Sequence, residues 1–328
     1  MSGTTFLAAP SCAAGAAELA AHGARAAFVG APIDTQVVPT RPGTTLGPAA
    51  CRAASQQYAG YPSLEHGIDV CEWWGLVDCG DASMGFGNAA GSRAAIGSTV
   101  GEVLDGGALP ILVGGDHSVP IGAMPALAER ISGRVGFLSI DAHLDTAEDV
   151  GGERMTMASP VARVLDQPNV HSENVAVLGA RGLANSFEEI ENARRLGVRV
   201  FPMADIASRG LAPVLEEALD AVWDGVETVY VSFDNDGADA SVAPGTTAPE
   251  PFGLTARELL QIAEAVGSRG VGLLDVVELS PAYDPAGITA RLDCCFIVYV
   301  LSAYAVALDS GSAKAPPYAS GGPRVSRS

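Results

Sequence analysis

Three short segments of the chain carry His117 (in Gly114-Gly115-Asp116-His117-Ser118), Asp141, His143 and Asp145 (in Asp141-Ala142-His143-Leu144-Asp145), and Asp234 and Asp236 (in Ser232-Phe233-Asp234-Asn235-Asp236). Carboxylates gathered in one small site repel one another, so without cations some must be protonated or the site must open. Two divalent ions offset four carboxylates charge for charge. They also lower the pKa of a bound water, which makes hydroxide available as a nucleophile at neutral pH. A carboxylate can bridge two cations, whereas an imidazole nitrogen binds one. Four carboxylates with two imidazoles form a hard, oxygen-rich donor set that suits Mn²⁺ better than a structural zinc site. Ligand type also admits Ni²⁺, Co²⁺ and Zn²⁺.

These residues need rigid elements to bring them together. Short apolar runs at Arg25–Gly30, Leu76–Cys79, Leu109–Val113, Val135–Ile140, Val175–Leu178, Val198–Pro202, Thr228–Phe233 and Gly270–Glu278 read as strands. Between them, apolar residues three and four apart predict helices over Ala90–Leu104, Val119–Ile131, Phe187–Leu196, Leu211–Trp223, Thr255–Val266 and Ile288–Leu308. Thr255 with Glu258 has the spacing of a capping box. Alternating strands and helices predict an α/β fold: one three-layer α/β/α domain with a mostly parallel sheet of about eight strands. The domain is expected to cover residues 1–308. The Ser-, Gly- and Pro-rich stretch 309–328 reads as a disordered tail. His117, Asp141 and Asp234 each fall at or just after a strand's C-terminal end, the edge where open α/β sheets bind ligands. In an extended segment residues two apart share a side, so Asp141, His143 and Asp145 are expected to face one way, as are Asp234 and Asp236.

Composition narrows the partners. Nineteen Lys plus Arg against 38 Asp plus Glu give a formal charge of −19 over 328 residues. Such a balance argues against nucleic acid and against an anionic membrane surface. No apolar run reaches the roughly 18 residues that cross a bilayer, and the Ala-rich N-terminus makes a poor signal peptide. The cysteines, Cys12, Cys51, Cys71, Cys79, Cys294 and Cys295, show no metal or disulfide framework. A reduced, cytoplasmic protein is the simplest reading.

Further segments make the chain resemble the ureohydrolase family of arginases, agmatinases, guanidino-acid hydrolases and formimidoylglutamases. They are Arg41-Pro-Gly-Thr-Thr-Leu-Gly-Pro48, Ser232 to Asp239, Ala243 to Pro251, and Val277-Glu278-Leu-Ser-Pro281. The resemblance implies one ion on His117, Asp141, Asp145 and Asp234 and another on Asp141, His143, Asp234 and Asp236, with Asp141 and Asp234 bridging. It also implies that a hydroxide between the ions attacks a guanidinium carbon, releasing urea and an amine. Asp145 and Glu278 become the catalytic carboxylates, and Glu278 pairs with the guanidinium. By the same resemblance the chain is a homo-oligomer, a trimer or hexamer, acting on a small guanidino molecule.

The chain departs from that family in two places. Met157 falls near the position where arginases and agmatinases carry a proton-shuttling histidine, and Thr246-Thr247-Ala248-Pro249 replaces Thr-Gly-Thr-Pro. Met157 and Thr247 are therefore expected in the substrate pocket, and arginine is a poor substrate candidate beside agmatine, guanidino acids, alkylated guanidines or biguanides. His66 and His171 are the remaining loop histidines that could approach the site. Hydrolysis of a formimidoyl or amide C–N bond is an alternative, as is a non-catalytic subunit of a hetero-oligomer.

Overall fold

A computed structural model describes residues 4–35, 40–85 and 87–319. Its strands are β1 Ala26–Ala31, β2 Val77–Asp81, β3 Leu109–Gly114, β4 Val135–Ile140, β5 Val175–Leu178, β6 Arg199–Phe201, β7 Thr228–Asp234 and β8 Leu273–Val277. They form one all-parallel sheet in the order β2-β1-β3-β8-β7-β4-β5-β6. The helices are α1 Ala16–His22, α2 Gly47–Ser55, α3 Val70–Trp74, α4 Ala89–Asp105, α5 Val119–Ala128, α6 Pro160–Val164, α7 Phe187–Leu196, α8 Met203–Arg209, α9 Leu211–Trp223, α10 Ala256–Arg269 and α11 Ile288–Ser310.

Parallel strands need crossovers, and the crossover helices bury both faces of the sheet. Successive residues of β3 show this. Ile111 and Val113 pack in the cluster that includes α9, α10 and α11, while Leu112 packs with α4 and α5 on the other face. Both faces are therefore apolar, which is why β1, β3, β4, β7 and β8 are buried along their full lengths.

The expected three-layer α/β architecture is present, with local differences. Helices α7 and α10 begin at complete capping boxes, Ser186 with Glu189 and Thr255 with Glu258. The eighth strand is shorter than expected at both ends: it starts at Leu273, after α10 has run to Arg269 with Gly270 as its C-cap, and it stops at Val277, where Glu278 leaves the ladder with φ 68°. Helix α11 is long and apolar enough to cross a bilayer by length and composition, contrary to the expectation that no such run exists. Most of it is buried against the fold, and the buried Asp293 lies within it. Of the stretch expected to be a tail, residues 309–319 are described. Helix α11 closes at Ser310, and the Tyr318 hydroxyl donates to the Gly272 carbonyl. The rest of that expectation falls on residues outside the described ones.

Candidate functional site

Four adjacent central strands, β3-β8-β7-β4, end at one edge of the sheet. Their registers, Val113↔Val276, Asp234↔Val277 and Ile140↔Phe233, level those ends, so the residues that follow meet. Two glycines permit the crowding. A Cβ on Gly115 would stand 2.4 Å from the Ile33 carbonyl oxygen and 2.5 Å from that of Ala31. A Cβ on Gly237 would stand 2.9 Å from the Ile140 oxygen. Close backbone approach at these points lets the chain turn and present His117 and Asp236.

The extended geometry expected for the acidic segments is not what brings them together. After β4 the chain bends at Ala142 and His143, and Asp145 adopts φ 50°. Its carbonyl accepts the N–H groups of Val161 and Ala162 in the first turn of α6, which helps hold that conformation. Asn235–Gly237 form a 3-10 turn in which the Asp234 carboxylate accepts the Asp236 N–H. Bends and caps, rather than strand alternation, turn these side chains inward.

The result is two merged clusters. His117 Nδ1 lies 3.1 Å from Asp141 Oδ2, 2.8 Å from Asp145 Oδ2 and 3.1 Å from Asp234 Oδ2. His143 Nδ1 lies 2.9 Å from Asp236 Oδ2 and 3.7 Å from Asp141 Oδ1. The trios His117, Asp141, Asp145 and Asp141, His143, Asp236 each have the spacing to hold a metal ion, and Asp141 is common to both. Asp234 joins the first cluster through Oδ2, while its Oδ1 accepts from Asp236.

The donor chemistry fits cations. His117 Nε2 is 3.0 Å from Ser232 Oγ, and Ser232 donates onward to Asp275 Oδ1 at 2.5 Å. That chain places the ring proton on Nε2 and leaves the Nδ1 lone pair facing the carboxylates. Nδ1 is buried with no aligned hydrogen-bond partner, although three carboxylate oxygens crowd it. Acceptors converging on an acceptor in a buried site are matched by a cation.

The charges of the metal-free site show the same conflict. Burial, then Asp145 and Asp236, push Asp141 up to about 7. Burial, then Asp236 and Asp141, raise Asp234 well above the carboxylate range. Burial pulls His143 down, but Asp236, Asp141 and Asp145 together push it up to about 11. Burial also acts to raise Asp236, yet His143 holds it down at about 2. In the absence of metal, protons take the place of cations.

Above the clusters opens a cavity of about 430 Å³. Five of the six histidine and aspartate side chains reach its wall, as do Glu278, Met157 and Thr247; Asp141 lies beneath. Glu278 is 1 % exposed. Its Oε1 accepts the His117 N–H at 2.6 Å and its Oε2 accepts the Thr247 hydroxyl at 2.5 Å. Burial, then Asp116, raise its carboxyl well above the usual range, opposed by those two hydrogen bonds. His66 and His171 do not line the cavity; they lie near Glu264 and Glu173.

Sequence reasoning missed Ser186, Glu188 and Glu189, which line the cavity from the start of α7. The Ser-x-x-Glu spacing marks that helix start, but only the fold shows that it sits beside the end of β4. Asp149 also lines the cavity, whereas Glu148 turns to Arg163 and Arg195. Arg154 does not line it, and among the described residues no Lys or Arg does.

Comparison with known proteins bears on the family and the fold. A sequence model described as Arginase family matches residues 24–302. The chain is 34% identical over 277 residues to a mitochondrial agmatinase of Gallus gallus, covering 84% of this chain and 79% of that one. It is 32% identical over 269 residues to a guanidinobutyrase of Pseudomonas aeruginosa, covering 81% and 82%. The solved proclavaminate amidinohydrolase of Streptomyces clavuligerus superposes with a TM-score of 0.83 at 29% identity, over 94% of this chain and 98% of that one.

Proposed function

The chain belongs to the arginase family, and from that premise we propose that it hydrolyses an amidino C–N bond of a small guanidino compound, giving urea and an amine. The observation that carries this reading is the buried convergence of His117, Asp141, His143, Asp145, Asp234 and Asp236 beneath a cavity that Glu278 also lines. Those six residues would hold two divalent ions. The oxygen-rich donor set favours Mn²⁺. When bound, such ions supply Lewis acidity and a water acidic enough to yield hydroxide near neutral pH.

The protein's own contributions are binding, orientation and exclusion of bulk water. A carboxylate offers paired acceptors to the planar N–H set of a guanidinium. Glu278 does so from a buried position, where its charge is weakly screened. Met157 has no proton to give. The leaving amine must therefore take its proton from water or from a carboxyl of the cavity, where Asp149, Glu188 and Glu189 stand. Those acids and the absence of a lining Lys or Arg among the described residues favour a cationic or apolar tail over a carboxylate. Arginine is disfavoured for that reason. We also propose a homo-oligomer, in keeping with the family resemblance, and a reduced, cytoplasmic setting, in keeping with cysteines that show no disulfide framework.

The test is a urea-release screen over agmatine, guanidinobutyrate, alkylated guanidines and biguanides, with protein loaded with Mn²⁺ or Ni²⁺ and its metal content measured. Urea or a substituted urea from one of them, with close to two ions per chain, is expected. Two bound ions with no urea from any guanidine, but formamide from an N-formimidoyl amino acid added to the panel, would replace this reading with formimidoyl hydrolysis. Near-zero metal would favour a non-catalytic subunit.

A further inference from the structure

Thr247 stands where the resembling family carries glycine, and its hydroxyl donates to Glu278 Oε2 at 2.5 Å. We infer that Thr247 is a positioning residue, whose hydroxyl fixes the Glu278 carboxylate for the guanidinium; this rests on the reading of Glu278 given above. Several observations support it. Thr246 bridges antiparallel to Leu279, and the Ser280 N–H donates to the Gly245 carbonyl at 2.7 Å. That pairing sets Thr247 beside Glu278. The Arg41 N–H donates to the Thr247 carbonyl at 3.2 Å, which fastens the backbone from the other side. Thr247 is 3 % exposed, so little water competes for its hydroxyl.

The arrangement leaves Glu278 fit to bind. Each carboxylate oxygen has two acceptor positions. The His117 N–H occupies one on Oε1, and the Thr247 hydroxyl occupies one on Oε2. One position on each oxygen remains for a guanidinium N–H pair. Glu278 itself sits at φ 68°, a conformation that favours glycine, so its backbone needs outside support. Its N–H donates to the Gly115 carbonyl at 2.8 Å, which fixes the main chain but not the carboxylate. The side chain depends on the two donors. The neighbouring Ala248 has no hydroxyl to substitute for that of Thr247.

The experiment compares Thr247→Val, Thr247→Ser and Thr247→Ala with wild type, all Mn²⁺-loaded and with metal content measured. Kinetics use the guanidino compound that wild type turns over fastest in the screen above. Thr247→Val is expected to lose about 10- to 100-fold in kcat/KM, the scale of a small misplacement of a binding group. Thr247→Ser should stay within about three-fold of wild type and Thr247→Ala should fall with the valine variant, since hydroxyl and not bulk is what matters. If Thr247→Val does not fold, the serine and alanine variants, which both lack the methyl, decide the matter between them. Equal activity of serine and alanine variants overturns the inference. Crystal structures of wild type and the variants give a second readout: the Glu278 carboxylate should move in the valine or alanine variant and stay in place in the serine variant. Should wild type hydrolyse no guanidine, the proposed function fails, and an unmoved Glu278 in these structures would separately overturn the positioning role.

Discussion

A carboxylate buried beside another acid is ionised only at a cost, and Glu278 next to Asp116 is in that position. A bound guanidinium brings the compensating positive charge, so the same burial that disfavours free Glu278 strengthens its pairing with a cation. Glu278→Gln keeps the shape and one acceptor but removes the charge. It should lower kcat/KM by about 10²-fold, corresponding to about 2.7 kcal/mol, and leave the metal content as in wild type. Full activity in the glutamine variant would exclude a charge-pairing role. The six histidine and aspartate positions were legible in the sequence because each is a polar side chain at or just beyond an apolar strand run. Thr247 and the pair Ser232 and Asp275 were not legible in their roles. Thr247 meets Glu278 across 31 residues through the isolated Thr246–Leu279 bridge, and Ser232 meets Asp275 across 43 through the β7–β8 register. A faint signal existed in Asp275, a carboxylate inside an otherwise apolar strand, where burial demands partners.

Strand ends and helix starts place these side chains, and their tolerances differ. Strands β1 and β3 pair residue by residue from Ala26↔Leu109 to Ala31↔Gly114, so the backbone beside Gly115 has little room to yield. Gly115→Ala sets a methyl against two carbonyl oxygens. Overpacking of this kind costs about 1–3 kcal/mol. Because His117 is two residues on, the variant should also lose metal from the His117 side, which thermal unfolding and metal analysis would both register. Unchanged stability with full metal occupancy would contradict the geometry. Thr255→Ala provides the contrast. It removes the N-cap of α10 and should cost about 1 kcal/mol in chemical denaturation, with kcat/KM unaltered. Loss of activity there would mean that α10 matters to the cavity in a way its position does not suggest. At this scale the Thr255 capping box announced α10, and the apolar spacing announced α7 and the central strands. The five-residue α6 carries too few turns for a periodic pattern, and α2 is built mostly of small residues with Pro48 near its start. The bend after β4 escaped notice because it is fixed by tertiary hydrogen bonds, such as that from Val161 to the Asp145 carbonyl, whereas the turn after β7 is a local cap by Asp234 that the alternation reading passed over.

Across the whole molecule, a net charge of −19 surrounds a buried acidic centre, so both favour cations and, failing those, protons. Linkage gives the sign of the pH dependence. Without metal, Asp141 titrates at about 7 in the folded chain against 3.8 as a free side chain. His143 titrates at about 11 against 6.5. In both cases the folded state holds more protons than the unfolded state, so stability falls as pH rises through each window. Asp236 has the opposite sign, but its window, from about 2 to 3.8, lies below the working range. Metal ions take the same lone pairs as these protons, so a loaded centre no longer depends on them. The chelated protein should therefore lose Tm steadily from about pH 5.5 to 9. At fixed free Mn²⁺, the gap in Tm between loaded and chelated protein should widen over that range, because metal competes with fewer protons as pH rises. Parallel measurements on an Asp141→Asn variant isolate the centre from the rest of the acidic surface, since removing the shared carboxylate should flatten the widening. A gap that stays constant or narrows with rising pH would mean that the buried carboxylates and histidines are not where the metals bind.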